Sequence, residues 1–182
     1  MKTIKFLTQF TFAAFLLGLC SVFASAQSSD TNALTMSATV VSSMKLNITN
    51  NGGVAFTGAD EAWAVSLGNV SGLGLGAATA GVTKAAVSGG YNYSTAINVT
   101  PVYSGFGAST ASVEVTSTGT DEGIALEGTS TTGTSLSPSA ATVSATAASD
   151  VALPRVVGFY IAQNETAGAK TATLTYTVTI NP

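Results

Sequence analysis

Beyond its first 26 positions the chain alternates hydrophobic and polar residues with a period of two over much of its length. That period sends successive side chains to opposite faces of an extended strand, one of them turned inward. Leu34, Met36, Ala38 and Val40 alternate with Thr35, Ser37 and Thr39, which predicts a first strand over residues 34–41. Met44, Leu46 and Ile48 repeat the pattern. Asn50-Asn51-Gly52-Gly53 then predicts a turn, because Asn and Gly reach positive φ at little cost. A short return strand is expected over 54–57, with further strands over 62–67 and 82–87. The signal sharpens at Tyr91, Tyr93, Thr95, Ile97, Val99, Pro101 and Tyr103, which share one face of an extended chain. Pro101 has no N–H for a ladder, so the strand is expected to end there or to lie on an edge.

Strands over 111–116, 123–126, 141–146 and 156–163 follow, separated by Gly, Ser and Thr clusters. The clearest segment is the last, 171–180, where Ala172, Leu174, Tyr176, Val178 and Ile180 alternate with five threonines. Gly72, Gly74 and Gly76 argue against a helix in the middle of the chain, since each costs about 1 kcal/mol there relative to alanine. A bent strand or loop is the reading for that run, which lacks the Gly-Lys-Ser/Thr ending of a phosphate-binding loop. Residues 129–149 are low in complexity and read as loop with one weak strand. No repeat of 20 to 50 residues points to a solenoid or propeller. Short strands, frequent turns and no helical period predict an all-β fold, an immunoglobulin-like antiparallel β-sandwich of roughly seven to ten strands.

The first 26 residues read differently. Lys2 and Lys5 precede an apolar run from Phe6 to Phe23, and Ala24-Ser25-Ala26 supplies the small residues of a cleavage site. This is the pattern of a secretory signal peptide, which places the mature protein outside the cytoplasm: secreted, periplasmic or on the cell surface. Residues 27–182 are then expected to form a single β-sandwich domain, with a disordered polar leader over 27–32 and no membrane span after cleavage. Cys20 is the one cysteine, so disulfides cannot staple the mature chain. From Gln27 on there are four Lys or Arg against nine Asp or Glu, and 19 Ser with 25 Thr. Solubility therefore rests on hydroxyls more than on ions. No basic field exists to hold a nucleic acid.

The absence of histidine removes the usual general base and the commonest metal ligand. Serines and threonines are plentiful, but no histidine is present to activate one. The carboxylate clusters are Asp60-Glu61 and Asp121-Glu122 with Glu127 nearby. Paired carboxylates can hydrolyse glycosides or bind calcium. These lack the alternating spacing of a calcium loop, and they read as solvated loop charges. No cofactor is expected. Trp63, Tyr91, Tyr93 and Tyr103, with Phe106, are the candidate ligand contacts, since exposed aromatics stack on sugars, although alternating aromatics also build cores. The threonine row of the last strand is an ordinary solvated face, an interface for a neighbouring subunit, or an array that orders water.

The Ala-Ser-Ala-Gln junction at 24–27, the opening Ser37-Ala38-Thr39-Val40-Val41 and the closing segment from Ala169 to Ile180 resemble those of exported bacterial immunoglobulin-like or fimbrial-type β-sandwich proteins. The resemblance implies a surface-filament subunit or adhesin module. The chain departs from chaperone–usher pilins in lacking their cysteine pair, and no functional residue carries over. The expectation is a noncatalytic structural or adhesive protein that works through strand-edge or face contacts, with itself or with other surface proteins. Its first and last strands are the expected contact segments. The alternative is a carbohydrate-binding module using Trp63 and the tyrosines. An enzyme would need the acidic clusters to converge.

Overall fold

The computed structural model describes residues 36–59, 62–107, 109–130, 133–135 and 140–181. Their strands are β1 (Ser43–Asn50), β2 (Thr57–Ala59), β3 (Ala62–Ala64), β4 (Thr83–Val87), β5 (Gly90–Ser104), β6 (Thr110–Thr118), β7 (Ala125–Gly128), β8 (Thr134–Ser135), β9 (Ala141–Ala147), β10 (Leu153–Ala162) and β11 (Thr173–Asn181). A single 3-10 turn, Glu122–Ile124, is the only helical element among the described residues. The all-β, antiparallel sandwich expected from the alternation is the fold observed. The chain divides into a unit 1–39, of which only residues 36–39 are described, and the unit 40–182 that holds every strand. The expected signal peptide and polar leader lie outside the described residues.

β5 organises the larger sheet. β10 pairs with one edge of it, from Val99 back to Gly90, while β1 and β4 share the other. β7 and β8 continue the sheet beyond β10. The second sheet runs β11-β6-β9. Inward positions of the two sheets meet in a core of Ile97, Val99, Val113 and Ala147, joined by Leu46, Ile48, Leu153, Val157, Tyr176 and Val178. The alternation predicted for the tyrosine-rich and closing segments is therefore realised. In β11, Leu174, Tyr176, Val178 and Ile180 are half-buried and the intervening threonines are exposed.

Three local expectations need correction. The strand predicted over 34–41 is not formed by its described part. Residues 36–42 belong to no strand, and Met36, Val40 and Val41 stand 85%, 81% and 70% exposed. The C-terminal half of β5's edge is taken by β1 instead. The return strand expected over 54–57 is replaced by a plug. Val54 is buried and donates its N–H to Thr95 Oγ1 at 2.7 Å, filling the gap that β1 and β4 leave along β5, while strand pairing begins only at Thr57. The turn before it forms as predicted: Gly52 has φ 78°, and the Asn50 side chain accepts from Gly53 N–H at 2.8 Å and donates to the Val54 carbonyl at 2.6 Å.

Pro101 does not end β5, which continues to Ser104; it lies where β5 is an edge of the sheet, because β10 pairs no further than Val99. The carbonyl of Pro101 accepts the Asp150 N–H at 2.8 Å, so its nitrogen points to that same side, past the end of β10. Opposite Leu46 of β1 the pair is then a non-hydrogen-bonded one, and the ring costs no ladder bond. Beyond it, Ser149 Oγ accepts from Tyr103 N–H and donates to Tyr103 C=O, each at 2.8 Å, replacing the missing strand with one hydroxyl. The strand count of seven to ten is exceeded by β2, β3 and β8, each three residues or fewer.

Ile97 is 3% exposed at the centre of the core. Ile97→Ala is expected to lower stability by about 2–5 kcal/mol, read as a fall in the urea midpoint at unchanged slope. An unmoved midpoint would remove Ile97 from the core.

Candidate functional site

The β2–β3 hairpin brings Phe56 and Trp63 together, their rings 5.8 Å apart and inclined at 42°. Its register, Thr57 opposite Ala64 and Gly58 opposite Trp63, is held by two three-residue strands. These two aromatics border a groove of about 370 Å³ whose walls come from both sheets and the hairpin. Ile48, Ile97 and Val157 contribute from the larger sheet, Leu174 and Tyr176 from β11, and Leu67 from the chain after the hairpin. The volume falls in the range of small-ligand clefts, and the lining is mostly apolar.

Lys170 is the one charged residue of that lining, and its charge is already matched. Its Nζ lies 2.5 Å from Glu165 Oε1 and 3.6 Å from Asp121 Oδ1. The hydrogen bond to Glu165 chiefly holds the ammonium above its ordinary pKa, against partial desolvation. Asp121 in turn accepts the Thr171 N–H at 2.8 Å, and its own N–H donates to the Thr171 carbonyl at 3.2 Å. That backbone hydrogen bond is the main cause that lowers the Asp121 pKa, with Lys170 adding to it. The cluster fixes Thr171 and Ala172 where they border the groove.

A second charged group lies beside it. Arg155, the only arginine, grips Glu127 with both ends of its guanidinium, Nε to Oε1 at 2.5 Å and Nη2 to Oε2 at 2.6 Å. The Glu127 side chain is 3% exposed and that of Arg155 12%. The hydrogen bond to Glu127 raises the Arg155 pKa against the effect of burial. From the other sheet, Tyr176 donates its hydroxyl to Glu127 Oε1 at 3.4 Å. Burial pushes the Tyr176 pKa far above its usual value, the negative charge of Glu127 raises it further and Arg155 partly offsets this. The phenol thus stays a neutral donor.

The sequence-derived candidates are not brought together. Trp63 alone borders the groove, 41% exposed. Tyr93 is 1% exposed and its hydroxyl donates to the Ser71 carbonyl at 2.8 Å, so it has no face to offer a sugar. Tyr91 lies half-buried beside it, with Lys84 Nζ 5.8 Å above its ring. Tyr103 is tied by its hydroxyl to the carbonyls of Ala147 at 2.9 Å and Ser109 at 3.2 Å, and Phe106 is half-buried. As an exposed stacking contact Tyr93 is therefore corrected, because core packing covers its ring, while Tyr91 and Tyr103 are half-buried. Glu127, expected as a solvated loop charge, is a buried ion-pair partner. Asp121 is bound to Lys170 and Thr171, while Asp60-Glu61 lies outside the described residues. Among the described residues no three His, Cys, Asp or Glu gather as a metal site, and no helix is long and apolar enough to cross a membrane.

The groove itself escaped the pattern reading, since its lining is drawn from seven separate stretches of chain. The Glu127–Arg155 pair had one signal, the solitary arginine in a core-period strand. Comparison with protein-family models, curated proteins and solved structures gives no match to this chain.

Arg155→Met alone is expected to cost about 3–5 kcal/mol by stranding the Glu127 charge, and adding Glu127→Leu to recover most of it in thermal or urea unfolding. A double variant as unstable as the single one would show that the pair acts through more than charge compensation. Asp121, whose folded pKa lies below its ordinary 3.8, stabilises the fold above that pH and loses this contribution as pH falls through the folded value. Asp121→Asn should therefore be less stable than the parent at pH 6, with the difference shrinking as pH falls through the folded value. A difference that does not change with pH through the acid range would refute the linkage.

Proposed function

We propose that this chain is a noncatalytic structural or adhesive β-sandwich, exported to the periplasm, the cell surface or the medium, that works by adding strand to strand between copies or with other surface proteins. The observation that carries the reading is the outer edge of β11. Nine residues, Thr173–Asn181, pair with β6 on one side, and among the described residues no strand pairs with the other. Edge strands are commonly guarded by lysine, proline or a bulge. β11 has no charged residue and no proline, and its register with β6 is unbroken over all nine positions. A bare edge of this kind offers its N–H and C=O groups to an incoming strand, and alternate side chains give specificity.

The same chain carries an alternating segment that no described strand takes up. Met36, Ala38 and Val40 alternate with Ser37 and Thr39, outside every strand and exposed. Two open elements on one chain, one an edge and one an unpaired apolar segment, fit a filament or surface-layer subunit better than a solitary soluble domain. The signal-peptide pattern and the resemblance to fimbrial-type sandwiches agree with it. A noncatalytic role is supported by the lack of histidine and by the pairing of Glu127 with Arg155 and of Asp121 with Lys170. A carbohydrate-binding module is the second reading, favoured by the half-exposed Trp63 at the groove.

Light scattering over a concentration series, with electron microscopy of the same samples, tests the reading on residues 27–182. Association that grows with concentration is expected, reduced about tenfold or more on removal of residues 27–41. Undiminished assembly of the shortened chain counts against the N-terminal segment, and a strict monomer throughout overturns self-assembly. Retention on a glycan panel, lost in Trp63→Ala, would select the second reading instead.

A further inference from the structure

Within the glycine-rich run the chain exposes two leucines in a way that ordinary surface loops do not. Leu73 is 59% and Leu75 67% exposed. Single exposed leucines need no account. These two are separated by one glycine on a loop that is braced from several sides. Tyr93 Oη donates to the Ser71 carbonyl at 2.8 Å and accepts the Ser71 N–H at 3.3 Å. Gly74 N–H donates to the Ser71 carbonyl at 2.9 Å, Leu73 N–H to Ser71 Oγ at 3.2 Å, and Lys84 Nζ to the Gly74 carbonyl at 2.7 Å. At the stem, Asn69 N–H reaches the Ala77 carbonyl at 3.1 Å and Thr79 N–H the Leu67 carbonyl at 3.0 Å.

Two of the glycines are dictated by close approach. A Cβ at Gly74, whose φ is 73°, would enter the Tyr91 ring, and one at Gly72 would enter the Ala162 carbonyl. The loop thus lies pressed against Tyr91 on one side and the end of β10 on the other. Its conformational entropy is already spent in the free protein, which lowers the cost of ordering it in a complex. A flexible loop could fold its leucines back onto the surface; a braced one cannot, and it keeps their apolar area in water.

The same chain holds the complement of this projection. Neither leucine lines the groove between the sheets, so the two surfaces are unsatisfied within one copy. Charge favours their meeting. Lys84, the only charged residue from Ala62 to Val113, is exposed and donates to the neutral Gly74 carbonyl, so the loop carries an unbalanced positive charge. Lys170, the only charge lining the groove, is held by two carboxylates, Glu165 and Asp121, which leaves that cluster net negative. The charges beside the two surfaces are thus opposite in sign.

We propose that Leu73 and Leu75 form a rigid apolar knob that seats in the Trp63-bordered groove of a second copy of this chain. The inference rests on the self-association proposed above but assigns it a surface separate from the β11 edge. Each copy offers one knob and one groove, so a contact that does not close on itself leaves a free knob at one end and a free groove at the other.

Trp63 is the only tryptophan, which gives the contact its own signal. On residues 27–182, Trp63 emission is expected to shift to the blue as concentration rises, in step with association measured by sedimentation. Leu73→Ser with Leu75→Ser should abolish the shift and weaken this association at least about tenfold. Both positions are exposed, so an unchanged urea midpoint verifies that the variant folds. Ala172→Phe, which fills the groove, should weaken association likewise. Mixed with the knobless variant it should form a one-to-one heterodimer, because one partner keeps a knob and the other a groove. Ala64→Trp on the exposed face of β3 serves as a second groove-filling variant in the sedimentation arm if Ala172→Phe fails to fold. Wild-type association with the knobless variant undiminished and Trp63 emission unmoved overturns the knob while leaving the edge reading standing. A wild-type chain that stays monomeric overturns both.

Discussion

A fifteen-residue strand at the centre of a sheet needs partners along both of its edges, and β5 is where this chain meets that demand. One edge is taken by β10 and the hydroxyl of Ser149. The other is too long for any single partner in the sequence, so it is divided among β1, the Asn51–Val54 plug and β4. Asn51 N–H donates to the Ala96 carbonyl at 3.2 Å, and Val54 N–H meets Thr95 Oγ1, at the point where the two strands leave a gap. Everything between β1 and β4, including the Trp63 hairpin and the leucine loop, is chain that must travel from one half of that edge to the other. The candidate surfaces are therefore by-products of completing β5.

The sheets are joined by apolar contact and by polar connections, Tyr103 of β5 to the Ala147 carbonyl of β9 among them. Tyr176 of β11 reaches across to the Glu127–Arg155 pair on β7 and β10. A buried ion pair is not by itself a source of stability, because desolvation offsets most of the attraction. What it contributes here is direction: the fork of a guanidinium and the plane of a carboxylate fit in few arrangements, whereas valines and alanines tolerate sliding. Near the groove, the Asp121–Lys170–Glu165 cluster does similar work in a more hydrated setting.

Much of the fold was legible because period-two alternation is a local property. β11 and the tyrosine strand were visible as runs of alternating residues, β6, β9 and β10 as short segments between Gly, Ser and Thr clusters, and the Asn-Asn-Gly-Gly turn as a positive-φ signal. The failures have a common cause, which is competition for partners. Residues 34–41 alternate as well as β1 does, yet alternation states that a segment can pair, not that an edge is free for it. Pro101 lets the strand run on because its missing N–H faces the side that β10 has already left. Whether an aromatic offers its face depends on what packs against the ring, which residue type does not state: Tyr93 is buried and Trp63 is 41% exposed.

Pro101 also bears on how the chain avoids a wrong structure. In a strand, the edge that a residue's nitrogen faces and the sheet face that its side chain takes are coupled, so turning β5 over exchanges both together. In the native arrangement the ring is buried and its nitrogen faces the turn at Asp150. Inverting the strand would send the polar set Asn98 and Thr100 into the core and, at the same step, aim the donorless nitrogen at β1. One imino acid thereby ties the hydrophobic sorting of β5 to its hydrogen-bond ladder. An inverted sheet would fail by two independent criteria, an error check that a domain with no disulfide to enforce its pairing has particular use for.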